Sequence, residues 1–289
     1  MYLVMAVGGY YAYFFYGLVP LLPNPYLSEI HKYISMPCMA FCYYCYYKAS
    51  FTNPGYLRND TDKKELERAV KRYACDRIIF SSTAWCSTDD IPKPARSKHC
   101  SLCNACVEKY DHHCVWINAC VGLHNYKWFI MFLLSHTLIC IYGVIIGYYC
   151  CNHLIDEDDL WNKTFTTPQG HRYKADMWII ISYLQYEHEA FTIAVFLCCI
   201  VTVMLLGFLG FHTYLIMYDY TTNETVKRRG VSGFIEQKLS FMKKWEQARI
   251  DKKPFKPSAK SISKYEVRGD IEQDSTLEVI TQVREKSEQ

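Results

Sequence analysis

Trp128-Phe-Ile-Met-Phe-Leu-Leu-Ser-His-Thr-Leu-Ile-Cys140-Ile-Tyr-Gly-Val-Ile-Ile-Gly-Tyr-Tyr-Cys-Cys-Asn-His-Leu-Ile155 runs for 28 residues without one Asp, Glu, Lys or Arg. About 20 apolar residues in a helix cross the hydrocarbon core of a bilayer, so this run is long enough to span. Ala190–Tyr218 is a second charge-free window, of 29 residues, and Met1–Ser28 is a third. A purely soluble globule does not leave such windows. The formal charge of the 289-residue chain is only +3. That small surplus excludes a strongly basic nucleic-acid binder, and no nucleic-acid partner is expected.

Working outward, four spans are predicted. They are Tyr2–Leu22, closed by Pro20, Pro23 and Pro25; Ile30–Phe51; Trp128–Cys151; and Ala190–Met217. The first lacks the basic start and the small-residue cleavage site of a signal peptide, so it is read as an anchor. In the second, 15 charge-free residues separate Lys32 from Lys48, whose long stems can carry the ammonium to the interface. The expected fold is therefore an all-α integral membrane protein with four transmembrane helices.

Orientation follows from the basic residues, which are retained in the cytoplasm. Residues 52–127 hold 12 Lys/Arg and 218–289 hold 15, against 3 in 152–188. The chain thus divides into helices one and two (1–51), a cytosolic cysteine-rich domain (52–127), helices three and four (128–217) with a lumenal loop at 152–188, and a cytosolic tail (218–289). Both termini are expected in the cytosol. Only the sequon at Asn162 would then be open to glycosylation, while those at Asn59 and Asn223 would be silent. In the tail, Phe234, Ile235, Leu239, Met242 and Trp245 recur at helical spacing among lysines. That pattern fits a basic amphipathic helix on an anionic leaflet, or an ordinary solvated helix. His136 and His212, inside spans, read as packing residues.

Six of the 15 cysteines fall between Cys86 and Cys120, both included, together with His99, His112 and His113. In a reducing compartment, Cys and His spaced two or three residues apart read as zinc ligands rather than disulfides. A closed set of four such ligands is structural. The cluster holds more donors than one zinc uses. Asp111-His112-His113-Cys114 also places a carboxylate, two imidazoles and a thiol within four residues. An imidazole lowers the pKa of a neighbouring thiol, and a carboxylate fixes the tautomer of that imidazole. By spacing alone, an activated nucleophile and the completion of metal sites stand level.

The pattern resembles the DHHC-type protein S-acyltransferases (palmitoyltransferases). The resemblance rests on Lys93-Pro-Ala-Arg96-Ser-Lys98-His99-Cys100, on Asp111-His112-His113-Cys114, and on Trp116, Asn118, Cys120, Gly122 and Asn125. It extends to Asn53-Pro54-Gly55 and to Thr221-Thr222-Asn223-Glu224. It implies that Cys114 is the nucleophile, His112 its general base, Asp111 the orienting carboxylate and Thr222 a support for Asp111. It further implies two structural Zn²⁺ sites. One takes Cys100, Cys103, His113 and Cys120. The other takes Cys86, His99, Cys106 and a fourth ligand where the family has Cys and this chain has Asp89. A carboxylate binds zinc at about the imidazole distance, so Asp89 is expected to substitute, with Asp90 as the alternative.

The activity so implied is ping-pong transfer of a fatty acyl group from palmitoyl-CoA, through acyl-Cys114, to cysteine thiols of membrane-associated proteins. The setting would be the endoplasmic reticulum or Golgi membrane. Trp116 would lie near the start of the acyl chain. Lys93, with Arg96 and Lys98, would pair with CoA phosphates or form a solvated basic face. The rival from another class is a zinc-stabilised membrane adaptor that acylates nothing. A transporter is disfavoured because the spans hold few ionisable groups.

Overall fold

The computed structural model describes residues 2–75, 79–80, 83–166, 170–233 and 240. The chain splits into two compact units, one made of Met1–Pro54 and His113–Asp219, the other of Gly55–His112 and Tyr220–Gln289. The amphipathic segment Phe234–Trp245 falls almost wholly outside the described residues.

The first unit is a helical bundle. Among the described residues, three helices are long and apolar enough to cross a membrane: Tyr2–Leu21, Tyr126–Glu157 and Glu189–Met217. The last two overlie the charge-free windows to within a few residues at each end. Ile30–Phe51 is also a continuous 22-residue helix, yet it falls short of those three in apolar character. Lys32, Lys48, His31 and five tyrosines dilute it. The sequence expectation of four spans is therefore met by three on length and composition. The predicted loop 152–188 is not a plain loop. The Tyr126–Glu157 helix continues into it, strands β8 (Thr164–Thr166) and β9 (Arg172–Lys174) pair antiparallel, and Met177–Glu187 is helical.

The Ile30–Phe51 helix runs antiparallel along Tyr126–Glu157. At one end the Asn125 amide donates to Ala49 O (3.0 Å), and at the other His31 Nδ1 meets the Tyr142 hydroxyl (2.8 Å). The Tyr2 hydroxyl lies 2.6 Å from His136 Nε2, and the Tyr126 hydroxyl lies 3.1 Å from His212 Nδ1, so both buried imidazoles have partners. Close approach of Tyr126–Glu157 to Glu189–Met217 depends on small residues, as membrane helix pairs commonly do. A Cβ on Gly147 would come within 2.8 Å of Val195 Cγ2, and one on Gly143 within 3.1 Å of Cys198 Sγ. Gly147→Val should therefore lower unfolding stability by about 1–3 kcal/mol through overpacking, read as a fall in thermal midpoint of the purified protein. An unchanged midpoint would refute this packing.

The expectation of an all-α chain is corrected here, because the cysteine-rich segment forms short strands. β1 (Tyr56–Leu57), β5 (Ala105–Val107) and β4 (Lys98–Cys100) make a three-stranded sheet in that order, and β2 (Trp85–Cys86) pairs with β3 (Ile91–Pro92). β6 (His112–Cys114) pairs with β7 (Ala119–Val121). Here the Cys and His residues two or three positions apart sit on these extended pieces and on the tight turns between them. The turns use positive φ at Asp90, Asn104 and Asn118, residue types that tolerate the left-handed region. The second unit is closed by the Lys63–Arg72 helix, capped by Asp62 and resting Leu66 and Ala69 against Leu57, Cys86, Ile91 and Cys106.

Candidate active site and metal centre

In the second unit, cross-strand register builds a four-donor cluster. His99 on β4 faces Cys106 on β5 as direct partners, which puts both side chains on one face of the sheet. The β2–β3 turn folds Asp89 back over Cys86. Four donor atoms, from Cys86, Asp89, His99 and Cys106, then lie within 4.8 Å of one another. Asp89 Oδ2 is the hub, 2.7 Å from His99 Nδ1, accepting from Cys86 Sγ at 3.3 Å and from the Cys106 amide at 2.9 Å. Burial opposes ionisation of Asp89, but the bonds from His99, Cys106 and Cys86 outweigh it and hold the carboxyl below its ordinary range. The Cys106 thiol is pushed upward, first by burial and then by Asp89 and Cys86 beside it.

Such a set, two thiols, one imidazole and one carboxylate, fits tetrahedral zinc. Zinc–ligand bonds of about 2.0–2.3 Å put neighbouring donors roughly 3.3–3.8 Å apart; Cys86 Sγ lies 3.3 Å from Asp89 Oδ2 and 3.7 Å from His99 Nδ1, while Asp89 and His99, at 2.7 Å, stand at hydrogen-bond distance. Asp90 is excluded from the cluster, since its Oδ1 accepts from Trp85 Nε1 at 3.2 Å. For the other predicted zinc set, Cys100 ends β4 and Cys103 sits in the following turn, where the Tyr56 hydroxyl approaches its sulfur at 3.3 Å. In the first unit, Cys120 Sγ and His113 Nδ1 lie 3.6 Å apart.

Asp111 is almost fully buried in the second unit and takes three hydrogen bonds. Thr222 N donates to Oδ1 at 2.8 Å, Thr222 Oγ1 donates to Oδ2 at 2.7 Å, and His112 Nδ1 lies 2.7 Å from Oδ2. Burial raises the carboxyl, yet His112 and Thr222 together hold it below the ordinary range. Thr222 opens a helix over residues 222–233, so Asp111 also receives the positive end of that helix. An imidazole bonded to an ionised carboxylate through Nδ1 leaves Nε2 as its proton acceptor.

Cys114 follows two residues later on β6. Successive side chains along a strand alternate faces, so His112 and Cys114 share one face while His113 takes the other. Within the first unit, Cys114 is buried in a cluster with Tyr2, Cys45, Ala49, Ile117, Phe129, Phe132 and Leu133. Fully buried Asn125 ties this hairpin to the helices, donating to Cys120 O (2.8 Å) and Ala49 O and accepting from Gly122 N (2.9 Å).

The remaining predicted residues fare differently. Trp116 lies on the β6–β7 turn with 42% of its surface exposed. Lys93 is held through its backbone, N–H to Ala84 O at 2.9 Å. Arg96, read as a phosphate partner or a solvated cation, is instead bonded side-on to Glu224 through Nε (2.5 Å) and Nη2 (2.9 Å). Sequence reasoning missed this pair, although Thr221-x-x-Glu224 carries the signature of a helix-capping box.

Residues 79–229 match the family model for the DHHC palmitoyltransferases. The chain belongs to this family. Among curated relatives, palmitoyltransferase ZDHHC4 of Bos taurus is 34% identical over 176 residues, covering 61% of this chain and 50% of the relative. Palmitoyltransferase swf1 of Schizosaccharomyces pombe is 33% identical over 202 residues, covering 69% and 51%. Palmitoyltransferase ZDHHC4 of Mus musculus is 30% identical over 207 residues, covering 72% and 56%. The chain thus spans about half the length of the curated relatives it matches. The family resemblance read from the motifs is borne out.

Proposed function

We propose that the chain is a protein-cysteine S-palmitoyltransferase that works through an acyl-Cys114 intermediate. The observation that carries this reading is the anchored Asp111–His112 pair, set two residues before a thiol buried among membrane-helix side chains. Cys114 gives its proton to His112, and the thiolate attacks the carbonyl carbon of palmitoyl-CoA. CoA leaves as a thiolate and takes the proton back from the imidazolium. A cysteine of a membrane-associated protein then gives its proton to His112 and attacks the acyl carbon, displacing Cys114 as a thiolate that takes the proton back from the imidazolium. Asp111 stays ionised throughout and steadies the imidazolium. One thioester replaces another at each step, so positioning rather than bond energy governs the rate.

The surroundings of Cys114 suit such an intermediate. Each CH₂ kept from water contributes about 0.8 kcal/mol, and the cluster around the thiol is continuous with helices that cross the bilayer. The Ile30–Phe51 helix is proposed as a fourth crossing, because it is paired along its length with Tyr126–Glu157. With the excess of Lys/Arg in 52–127 and 218–289, both termini and the cysteine-rich segment are assigned to the cytosol, in an endoplasmic reticulum or Golgi membrane. Trp116 is assigned to the acyl chain on the family pattern alone, and Lys93 to CoA on its charge alone.

Two structural zinc ions complete the proposal. Cys86, Asp89, His99 and Cys106 hold one; Cys100, Cys103, His113 and Cys120 hold the other, on the family pattern. Each would stabilise short strands that bury too little apolar surface to stand alone. Asp89→Ala should reduce zinc from two per chain to one by elemental analysis. Asp89→Cys should keep two and slow chelator extraction at least tenfold, since thiolate is the softer ligand. A single zinc in the unaltered chain would remove Asp89 from the ligand set.

The proposed activity is tested by intact mass. Incubation of the purified full chain with palmitoyl-CoA should add one acyl group, mapped to Cys114 and released by neutral hydroxylamine. No mass gain, or acylation only at other cysteines, would defeat the reading.

A further inference from the structure

We infer that Arg96 is a positioning residue for the catalytic base, a role that rests on the acyltransferase reading above. Arg96 holds the Asp111–Thr222 contact from both sides. Its backbone carbonyl accepts from Tyr110 N at 3.0 Å, one residue before Asp111. Its guanidinium grips both carboxylate oxygens of Glu224, two residues after Thr222. Glu224 in turn accepts from Thr221 N (3.0 Å), while Thr221 Oγ1 accepts from Glu224 N (3.2 Å). That reciprocal pair sets the first turn of the helix, and the first turn is what presents Thr222 N and Oγ1 to Asp111.

Several features mark the Arg96–Glu224 pair as more than surface decoration. The Glu224 side chain is 4% exposed and that of Arg96 is 11%. The guanidinium stacks over the Tyr73 ring at 5.2 Å. Arg96 also adopts φ 65°, a left-handed backbone that a bulky side chain takes only under constraint. This is the turn that allows one residue to point its carbonyl at Tyr110 and its side chain at Glu224. Bidentate geometry fixes direction as well as distance, so rotation of the helix about Thr222 is resisted. Arg96 thus acts through Glu224 and Thr222 on one side and through Tyr110 on the other.

The test separates positioning from simple structural support and from a role in holding CoA. Arg96→Met alone strands a buried carboxylate, so it should lose stability as well as rate. The double variant Arg96→Met with Glu224→Gln removes that charge, while the glutamine carbonyl can still accept from Thr221 N. Purified full-length proteins are compared for thermal midpoint, zinc content, kcat and KM for palmitoyl-CoA in acyl-enzyme formation, and the rate of Cys114 alkylation by iodoacetamide, read by peptide mass spectrometry. The double variant is expected to regain the midpoint and two zincs, keep KM within twofold, and remain at least tenfold slow in both kcat and alkylation. Recovery of kcat along with the midpoint would overturn the inference, as would a raised KM with unchanged kcat. Alkylation needs no acyl-CoA. If the unaltered chain fails to acylate, slowed alkylation in the double variant upholds the positioning role while the acyltransferase reading falls; unslowed alkylation defeats the positioning role itself.

Discussion

Cys114→Ser should take up no acyl group from palmitoyl-CoA, with a rate of acyl-enzyme formation at least about 10³-fold below the unaltered chain. A thiol of ordinary pKa is already a few per cent thiolate at neutral pH, and an imidazole partner raises that fraction. A serine hydroxyl has no comparable ionised fraction, and nothing in the apolar cluster of Ile117, Phe129, Phe132 and Leu133 offers it a replacement. The same variant should keep two zincs per chain, because Cys114 belongs to neither predicted ligand set. Stability should fall only modestly, by about 1–3 kcal/mol for burying a hydroxyl in place of a thiol. Intact mass and elemental analysis on one preparation read both outcomes. Equal acylation of the two proteins would sink Cys114 as nucleophile, and loss of zinc in the variant would show that its sulfur is a metal ligand instead.

The helices long and apolar enough to cross a bilayer are readable from the sequence because the signal is local. A window free of charge has one low-energy environment, and Ala190–Tyr218 matches the helix Glu189–Met217 nearly residue for residue. Ile30–Phe51 was harder for a related reason. Its helical length is plain, but its lysines and tyrosines blur the boundary between a crossing helix and a buried one, and only its pairing with Tyr126–Glu157 places it in the bundle.

The donors of the cysteine-rich segment were readable too, since ligand chemistry restricts residue type and spacing. The strands that carry them were not. Pieces of two or three residues have no periodicity to detect. Their existence depends on partners far along the chain, as in the pairing of Leu57 with Cys106. Asp89 shows how such a register settles an ambiguity. Sequence allowed Asp89 or Asp90; the turn at Asp90, φ 52°, aims one carboxylate into the cluster and the other at Trp85. The Arg96–Glu224 pair spans 128 positions, and neither residue type nor local spacing distinguishes a buried arginine of this kind from a solvated one.

Asp111→Asn is the most informative single-atom change in the site. Asp111 Oδ1 accepts from one N–H, while Oδ2 faces both the Thr222 hydroxyl and His112 Nδ1. Asparagine keeps the size and removes one acceptor. If its NH₂ took the Oδ1 position, it would oppose the Thr222 N–H, donor against donor, with no rotation able to relieve the clash. Placing NH₂ at the Oδ2 position is less costly, because the Thr222 hydroxyl can turn to accept. His112 Nδ1 must then accept as well, and its proton moves to Nε2. That is the wrong tautomer for a base whose Nε2 must receive the proton of Cys114. The expected loss is about 10³–10⁴-fold in acyl-enzyme formation, the scale seen when the same exchange misassigns a tautomer in hydrolytic triads. KM for palmitoyl-CoA should be unchanged, since Asp111 is 1% exposed and its carboxylate is taken up by Thr222 and His112. A loss of less than tenfold would mean that His112 finds its tautomer without Asp111. The base would then be set by some other group, and the Thr222 contact would serve folding alone.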